Sequence, residues 1–190
     1  MNLPNKLTVV RMILAPIYLL LMIIEFPFHY LVALIVFAVA AITDSLDGKI
    51  ARKNNQITTF GKLVDPIADK MLTTAALLAF MQEGWCSIWI VMIVLTREFA
   101  VTSVRLIASI QGVAIPANYW GKAKTVSQMV FTILIMFMAQ LDESFSLFAN
   151  FGWFTLARVS NILLWITAIL TVVSGITYLI NGKKFIDFSK

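Results

Sequence analysis

Four aspartates in a chain that is otherwise mostly apolar are the residues most able to do chemistry. They occur as Asp44-x2-Asp47-Gly48-x2-Ala51-Arg52-x8-Gly61-x3-Asp65-x3-Asp69. Like charges so close together repel, and some would stay protonated unless cations neutralised them. A carboxylate held at the edge of a bilayer is also costly, so its presence is a functional signal. Asp44 and Asp47 are three residues apart, about 60° around a helix axis, and share one face. Asp65 and Asp69 are four apart and also share a face. Two such helix ends packed antiparallel would form an all-oxygen box for one or two hard cations, the donor set preferred by Mg²⁺ or Mn²⁺. Without a His or Cys cluster, zinc is not the expected metal. Gly48 and Ala51 leave room for a bulky ligand, and Arg52 offers a fork of donors to a phosphate oxygen. Asp65 precedes Pro66, so a plain helix cap is the competing reading for that one residue.

The elements that must position these groups are membrane helices. Hydrophobic residues make up 60% of the 190 positions and charged residues 13%, about half the charged share of a soluble domain. Six helices are expected, over residues 7–26, 30–51, 61–82, 85–110, 121–141 and 155–181, each near the length that crosses a bilayer. The fold class is therefore an all-α, polytopic membrane protein. It forms a single domain over 1–190 with a polar cavity open at one side. Residues Met1–Lys6 lack a clear cationic region and no small-residue cleavage site follows, so the first helix is expected to be retained. The single cysteine, Cys86, excludes an intramolecular disulfide.

Charge sets the orientation. With both termini in the cytoplasm, fourteen of the fifteen Lys and Arg residues fall on the cytoplasmic half, and only Arg158 falls outside. The outer turns instead carry Glu25, Glu83, Asp142 and Glu143, the last two expected to form a solvated turn. That bias places the aspartate cavity on the cytoplasmic face. The net charge of +5 then reflects topology and attraction to anionic lipid. No basic run or tail suggests nucleic acid as a partner. Trp85, Trp89, Trp120, Trp153 and His29 are expected at the membrane interface.

A second polar group lies in the later helices. Arg97 and Arg105 are eight residues apart, hence within about 80° on one helix, and Glu98 can pair with either. Gly121-Lys122-x-Lys124-Thr125-x2-Gln128 opens the fifth helix. In it Lys122, Thr125 and Gln128 are expected to form one polar stripe, while Lys124 either anchors the helix or meets substrate. Cations converging on a cavity call for an anionic ligand, a phosphate in particular.

The aspartate pattern resembles the signature of the CDP-alcohol phosphotransferase family, D-x2-D-G-x2-A-R-x7–8-G-x3-D-x3-D, at every position. The resemblance covers nearly the whole chain. It implies a homodimeric enzyme of the bacterial inner membrane with two Mg²⁺ or Mn²⁺ ions. These would be held by Asp44, Asp47, Asp65 and Asp69, with Asp69 also the catalytic base. It further implies that Gly48, Arg52 and Thr58 contact the CDP portion, as do Asn5, Thr8 and Arg11, which match a second family element and spread over an arc of about 120°. Thr96-Arg97-Glu98-Phe99 with the Gly121–Gln128 segment is similar to the branch that joins CDP-diacylglycerol to sn-glycerol 3-phosphate. On that resemblance Arg97, Arg105, Lys122, Thr125 and Gln128 bind the acceptor phosphate. Serine, inositol phosphate and phosphatidylglycerol are the competing acceptors. A divalent-cation transporter is the reading from another class.

Overall fold

A computed structural model describes residues 3–53, 59–110, 119–148 and 152–182, with side chains described over 5–43, 64, 67–68, 70–108, 119–148 and 152–180. All regular structure among them is helical. The six helices are α1 (Leu3–Ile23), α2 (His29–Lys53), α3 (Thr59–Gln82), α4 (Ile88–Ile110), α5 (Tyr119–Phe145) and α6 (Leu156–Gly182). They pack in the cyclic order α1, α2, α5, α6, α4, α3, with α3 returning to α1. Because the chain alternates direction, the start of α1, α3 and α5 meets the end of α2, α4 and α6. The aspartates and the second polar group therefore belong to the same end of the bundle.

The exposed faces are aliphatic. Ile13, Leu20, Ile35, Val130, Ile162, Ile169 and Ile176 are each at least half exposed, and water would not tolerate so continuous an apolar surface. The described parts of α1 (Asn5–Ile23), α5 (Tyr119–Phe145) and α6 (Leu156–Ile180) are long and apolar enough to cross a membrane. Inward faces use small residues instead: Ala15, Ala33, Ala40, Ala75, Ala76, Ala79, Ala139 and Ala168 are buried, allowing close backbone approach between helices. On α6 the buried Thr171 and Ser174 hydroxyls donate back to the carbonyls of Thr167 and Thr171, at 2.7 and 3.0 Å. Such internal satisfaction lets polar groups sit in an apolar seam. The molecule is a helical membrane protein.

Helix ends differ from the expected boundaries for local reasons. α1 begins earlier because Pro4 has no N–H to lose in a first turn. α3 stops at a Schellman motif: Gly84 takes φ +73°, Trp85 N–H donates to Phe80 O at 2.8 Å and Gly84 N–H to Met81 O at 3.1 Å. Ser87 then caps α4, its Oγ accepting from Trp89 N–H at 3.4 Å, so α4 starts three residues later than expected. Thr155 plays the same part for α6, accepting from Arg158 N–H at 3.3 Å.

At the far end the groups expected at the surface or the interface have partners within the bundle. Asp142 and Glu143 are in the last turn of α5, where Asp142 Oδ1 accepts from Phe148 N–H. Glu143 Oε2 accepts from Gln140 Nε2, and its Oε1 lies 3.6 Å from His29 Nδ1. His29 and Trp85 are buried, because Tyr30 stacks between them with ring centroids at 3.8 and 5.4 Å. Trp89, Trp120 and Trp153 are exposed.

Cys86, in the turn between α3 and α4, is also buried, and burial pushes its thiol up to about 12. A raised thiol pKa leaves only about one thiolate in ten thousand at pH 8. Maleimide is therefore expected to leave the folded protein unlabelled at pH 8 and to label it after denaturation in SDS. Rapid labelling of the folded protein would show that this turn opens.

Candidate active site

The N-terminal half of α1 supplies the first wall. Asn5, Thr8 and Arg11 follow one another at a spacing of three, and all three are buried, Arg11 and Thr8 at 1% exposure. A guanidinium inside a membrane bundle is expensive. It sits there because α1 is covered on both sides, by α2 and by α3. Those are the helices that carry the aspartates.

The backbone places Asp44, Asp47, Gly48 and Arg52 in the last three turns of α2, and Asp65 and Asp69 in the first half of α3. Asp65 is six residues past the start of α3 at Thr59, so it is not an N-cap, and the capping reading is removed. The side chains of Asp44, Asp47, Arg52, Asp65 and Asp69 and the surroundings of Gly48 lie outside the described residues, as does all of Thr58. No cluster of three or more His, Cys, Asp or Glu side chains forms a metal centre among the described residues. The donor set itself fits a hard divalent cation: four carboxylates, two at i,i+3 and two at i,i+4, on helices that both pack against α1.

On α3, Lys70 follows Asp69 and reaches α4. Its Nζ donates to the main-chain oxygen of Glu98 at 3.0 Å and to Thr102 Oγ1, and lies 5.8 Å from the Phe99 ring centroid. The Glu98 side chain turns to α5: Lys124 Nζ donates to Glu98 Oε1 at 2.7 Å, and Arg97 Nη1 donates to the same oxygen at 2.8 Å. These side chains are 5% (Lys124), 12% (Arg97) and 18% (Glu98) exposed. The Arg97 stem packs against α6 where Gly175 leaves space; a Cβ there would stand 3.0 Å from Arg97 Cγ. One turn beyond Thr102, the Arg105 guanidinium lies 5.2 Å from the ring centroid of the buried Tyr178 on α6, a cation–π contact that fixes an otherwise exposed side chain.

The expected stripe on α5 is arranged differently. Gln128 is buried at 2%, but its companion on the buried face is Lys124, while Lys122 and Thr125 are exposed. Thr125 Oγ1 donates back to Gly121 O at 3.1 Å. The i,i+4 pair Lys124/Gln128 faces the bundle because Glu98 draws Lys124 inward. The i,i+4 spacing was readable in the sequence, but which of two lysines meets an acid on another helix was not. Lys70 and Tyr178 were missed as site-shaping residues for the same reason: they act through partners 28 and 73 positions away, Glu98 and Arg105.

The chain is similar to known proteins over most of its length. A family model described as CDP-alcohol phosphatidyltransferase matches residues 1–173. The chain is 38% identical over 189 residues to the CDP-diacylglycerol–glycerol-3-phosphate 3-phosphatidyltransferase of Bacillus subtilis, covering 93% of each chain. It is 35% identical over 184 residues to the protein of the same name from Rickettsia bellii, covering 97% of each. With that from Pseudomonas fluorescens it shares 34% identity over 171 residues, 87% of this chain and 86% of the other.

Proposed function

This chain belongs to the CDP-alcohol phosphatidyltransferase family, and we propose that it transfers the phosphatidyl group of CDP-diacylglycerol to sn-glycerol 3-phosphate. The products are phosphatidylglycerophosphate and CMP, so the chain acts as a phosphatidylglycerophosphate synthase. The observation that carries the acceptor assignment is the Arg97–Glu98–Lys124 group, with Lys124 buried and Arg97 and Glu98 half-buried, beside Lys70, itself next to Asp69. Two cations against one carboxylate leave a unit of positive charge within the bundle, where an anionic acceptor gains most from it. The relatives named for the glycerol 3-phosphate reaction support the same choice.

The chemistry follows from the residues. Asp44, Asp47, Asp65 and Asp69 would hold Mg²⁺ or Mn²⁺, two ions per site, which when bound neutralise the diphosphate and the departing CMP. Asn5, Thr8, Arg11, Gly48, Arg52 and Thr58 bind the CDP portion. The acceptor phosphate is held by Arg97, Arg105 and Gln128, joined by Lys124 in place of the exposed Lys122 and Thr125. The acceptor hydroxyl attacks the phosphorus bearing the diacylglycerol group as the bond to CMP breaks, and Asp69 takes the hydroxyl proton. Positioning does most of the rest, since donor and acceptor must be held in line.

In the same reading all six helices cross the bacterial inner membrane, both termini and the site face the cytoplasm, and the protein works as a homodimer. Lipid donor enters sideways from the leaflet, and soluble acceptor enters from the cytoplasm. The charge asymmetry of the sequence supports that orientation.

The direct test is CMP release by purified protein in detergent with CDP-diacylglycerol and Mg²⁺, offering glycerol 3-phosphate, inositol phosphate and serine separately. Release with glycerol 3-phosphate alone is expected. Release with another acceptor would keep the family chemistry and overturn the acceptor assignment. Arg105→Ala is expected to raise the KM for glycerol 3-phosphate by about 10- to 100-fold, the loss of one charge-assisted contact, with the donor KM little changed. A collapse of donor affinity instead would show that Arg105 serves the CDP side.

A further inference from the structure

We propose that Glu98 is a positioning residue for the acceptor: one carboxylate oxygen gathers Arg97 and Lys124 into a single anion-binding pair beside the proposed base. The inference rests on the acceptor reading given above, and it adds an acidic residue to a pocket meant for an anion. On charge alone a carboxylate there should weaken phosphate binding. Geometry gives it another part.

Arg97 Nη1 and Lys124 Nζ both donate to Glu98 Oε1, at 2.8 and 2.7 Å, so the two cationic nitrogens are no more than about 5.5 Å apart. Two cations at that separation in a buried site repel each other strongly. They stay together because the shared oxygen lies between them. A phosphate has oxygens spaced to engage both nitrogens at once, so the pair is set in advance for a ligand of that shape. Glu98 also fixes the pair within the bundle. Its main-chain oxygen accepts from Lys70 Nζ on α3, its side chain accepts from Lys124 on α5, and Arg97 is seated against Gly175 of α6. Three helices thus converge on two adjacent residues of α4. Lys70 is the neighbour of Asp69, which puts the cation pair beside the helix turn that bears the proposed base.

Removing the carboxylate would release both cations from their common point. Lys124 and Arg97 would then separate, each to its own counter-charge, and the acceptor would have to pay for bringing them back. This effect falls on acceptor binding and not on the donor, whose proposed nucleotide contacts all precede α3 in the chain.

The test uses the full-length protein in detergent with Glu98→Gln, Glu98→Ala and Glu98→Asp, each checked by its melting temperature. CMP release is measured against glycerol 3-phosphate at saturating donor, and against donor at saturating acceptor. For Glu98→Gln and Glu98→Ala the acceptor KM is expected to rise about 10- to 100-fold, matching the loss of a hydrogen bond to a charged group. The donor KM should stay within about twofold, and Glu98→Asp should recover part of the acceptor KM because a shorter carboxylate still holds one cation. An unchanged acceptor KM would overturn the proposal. So would a lower acceptor KM in Glu98→Gln, which would make Glu98 a competitor for the cations and not their organiser. Equal rises in both KM values, or loss of folded protein in all three variants, would show a structural clamp only. If the wild-type protein released CMP with an acceptor other than glycerol 3-phosphate, the functional reading would fail on its own, and the Glu98 series would be read with that acceptor.

Discussion

Asp69→Asn is expected to lower kcat for CMP release by about 10²–10⁴-fold, the range for losing a general base. Asparagine keeps the size and one acceptor oxygen but cannot take a proton from the attacking hydroxyl. The family resemblance gives Asp69 this part, and its neighbour Lys70 on α3 bonds to Glu98 of the proposed acceptor pocket. It is also assigned to the metal, so kinetics alone would not separate the two roles. The separation comes from thermal stability. A cation that binds only the folded protein raises its melting temperature in proportion to ln(1 + [L]/Kd). If Asp69→Asn still gains stability from Mg²⁺ while turnover is lost, its main part is the base. If the Mg²⁺-dependent gain disappears, its main part is the ligand. Near-normal turnover would remove Asp69 from both.

Chelation is expected to abolish CMP release altogether, with activity returning on addition of excess Mg²⁺ or Mn²⁺. The reason is electrostatic. The motif gathers four carboxylates on two helices packed against a common neighbour, and the donor brings a diphosphate to them. Anion meeting anion is unfavourable unless divalent charge lies between. The same experiment has a readout that does not depend on turnover: Mg²⁺ should raise the melting temperature of the wild-type protein, and Asp65→Asn should lose most of that gain. Unaltered turnover in the presence of chelator would contradict the carboxylate assignment as a whole.

Much of this protein is legible in the sequence because membrane physics leaves few choices. Apolar runs of about twenty residues must be helices, since no other open structure satisfies its backbone in lipid. All six helices appear within a few residues of their expected places. The aspartate spacing is equally direct, because helical geometry turns i,i+3 and i,i+4 into shared faces. Boundaries were harder to read. The late start of α4 depends on Gly84 and Ser87 acting in succession, and two short-range motifs in a row are hard to separate from a continuing apolar run.

The sequence by itself determined the class of the molecule, its family, the acidic motif and the polar end of the bundle, because each is a matter of periodicity, composition or fixed spacing. Only the tertiary structure decided the partners: that Lys124, and not Lys122, turns inward with Gln128; that Arg97 and Lys124 share one oxygen of Glu98; that Arg105 rests on Tyr178; and that His29 and Trp85 are buried around Tyr30. A charged side chain in an apolar bundle goes where an opposite charge can reach it. That place is set by which helices are neighbours, and the cyclic order α1, α2, α5, α6, α4, α3 is a property of packing that no spacing along a single helix contains.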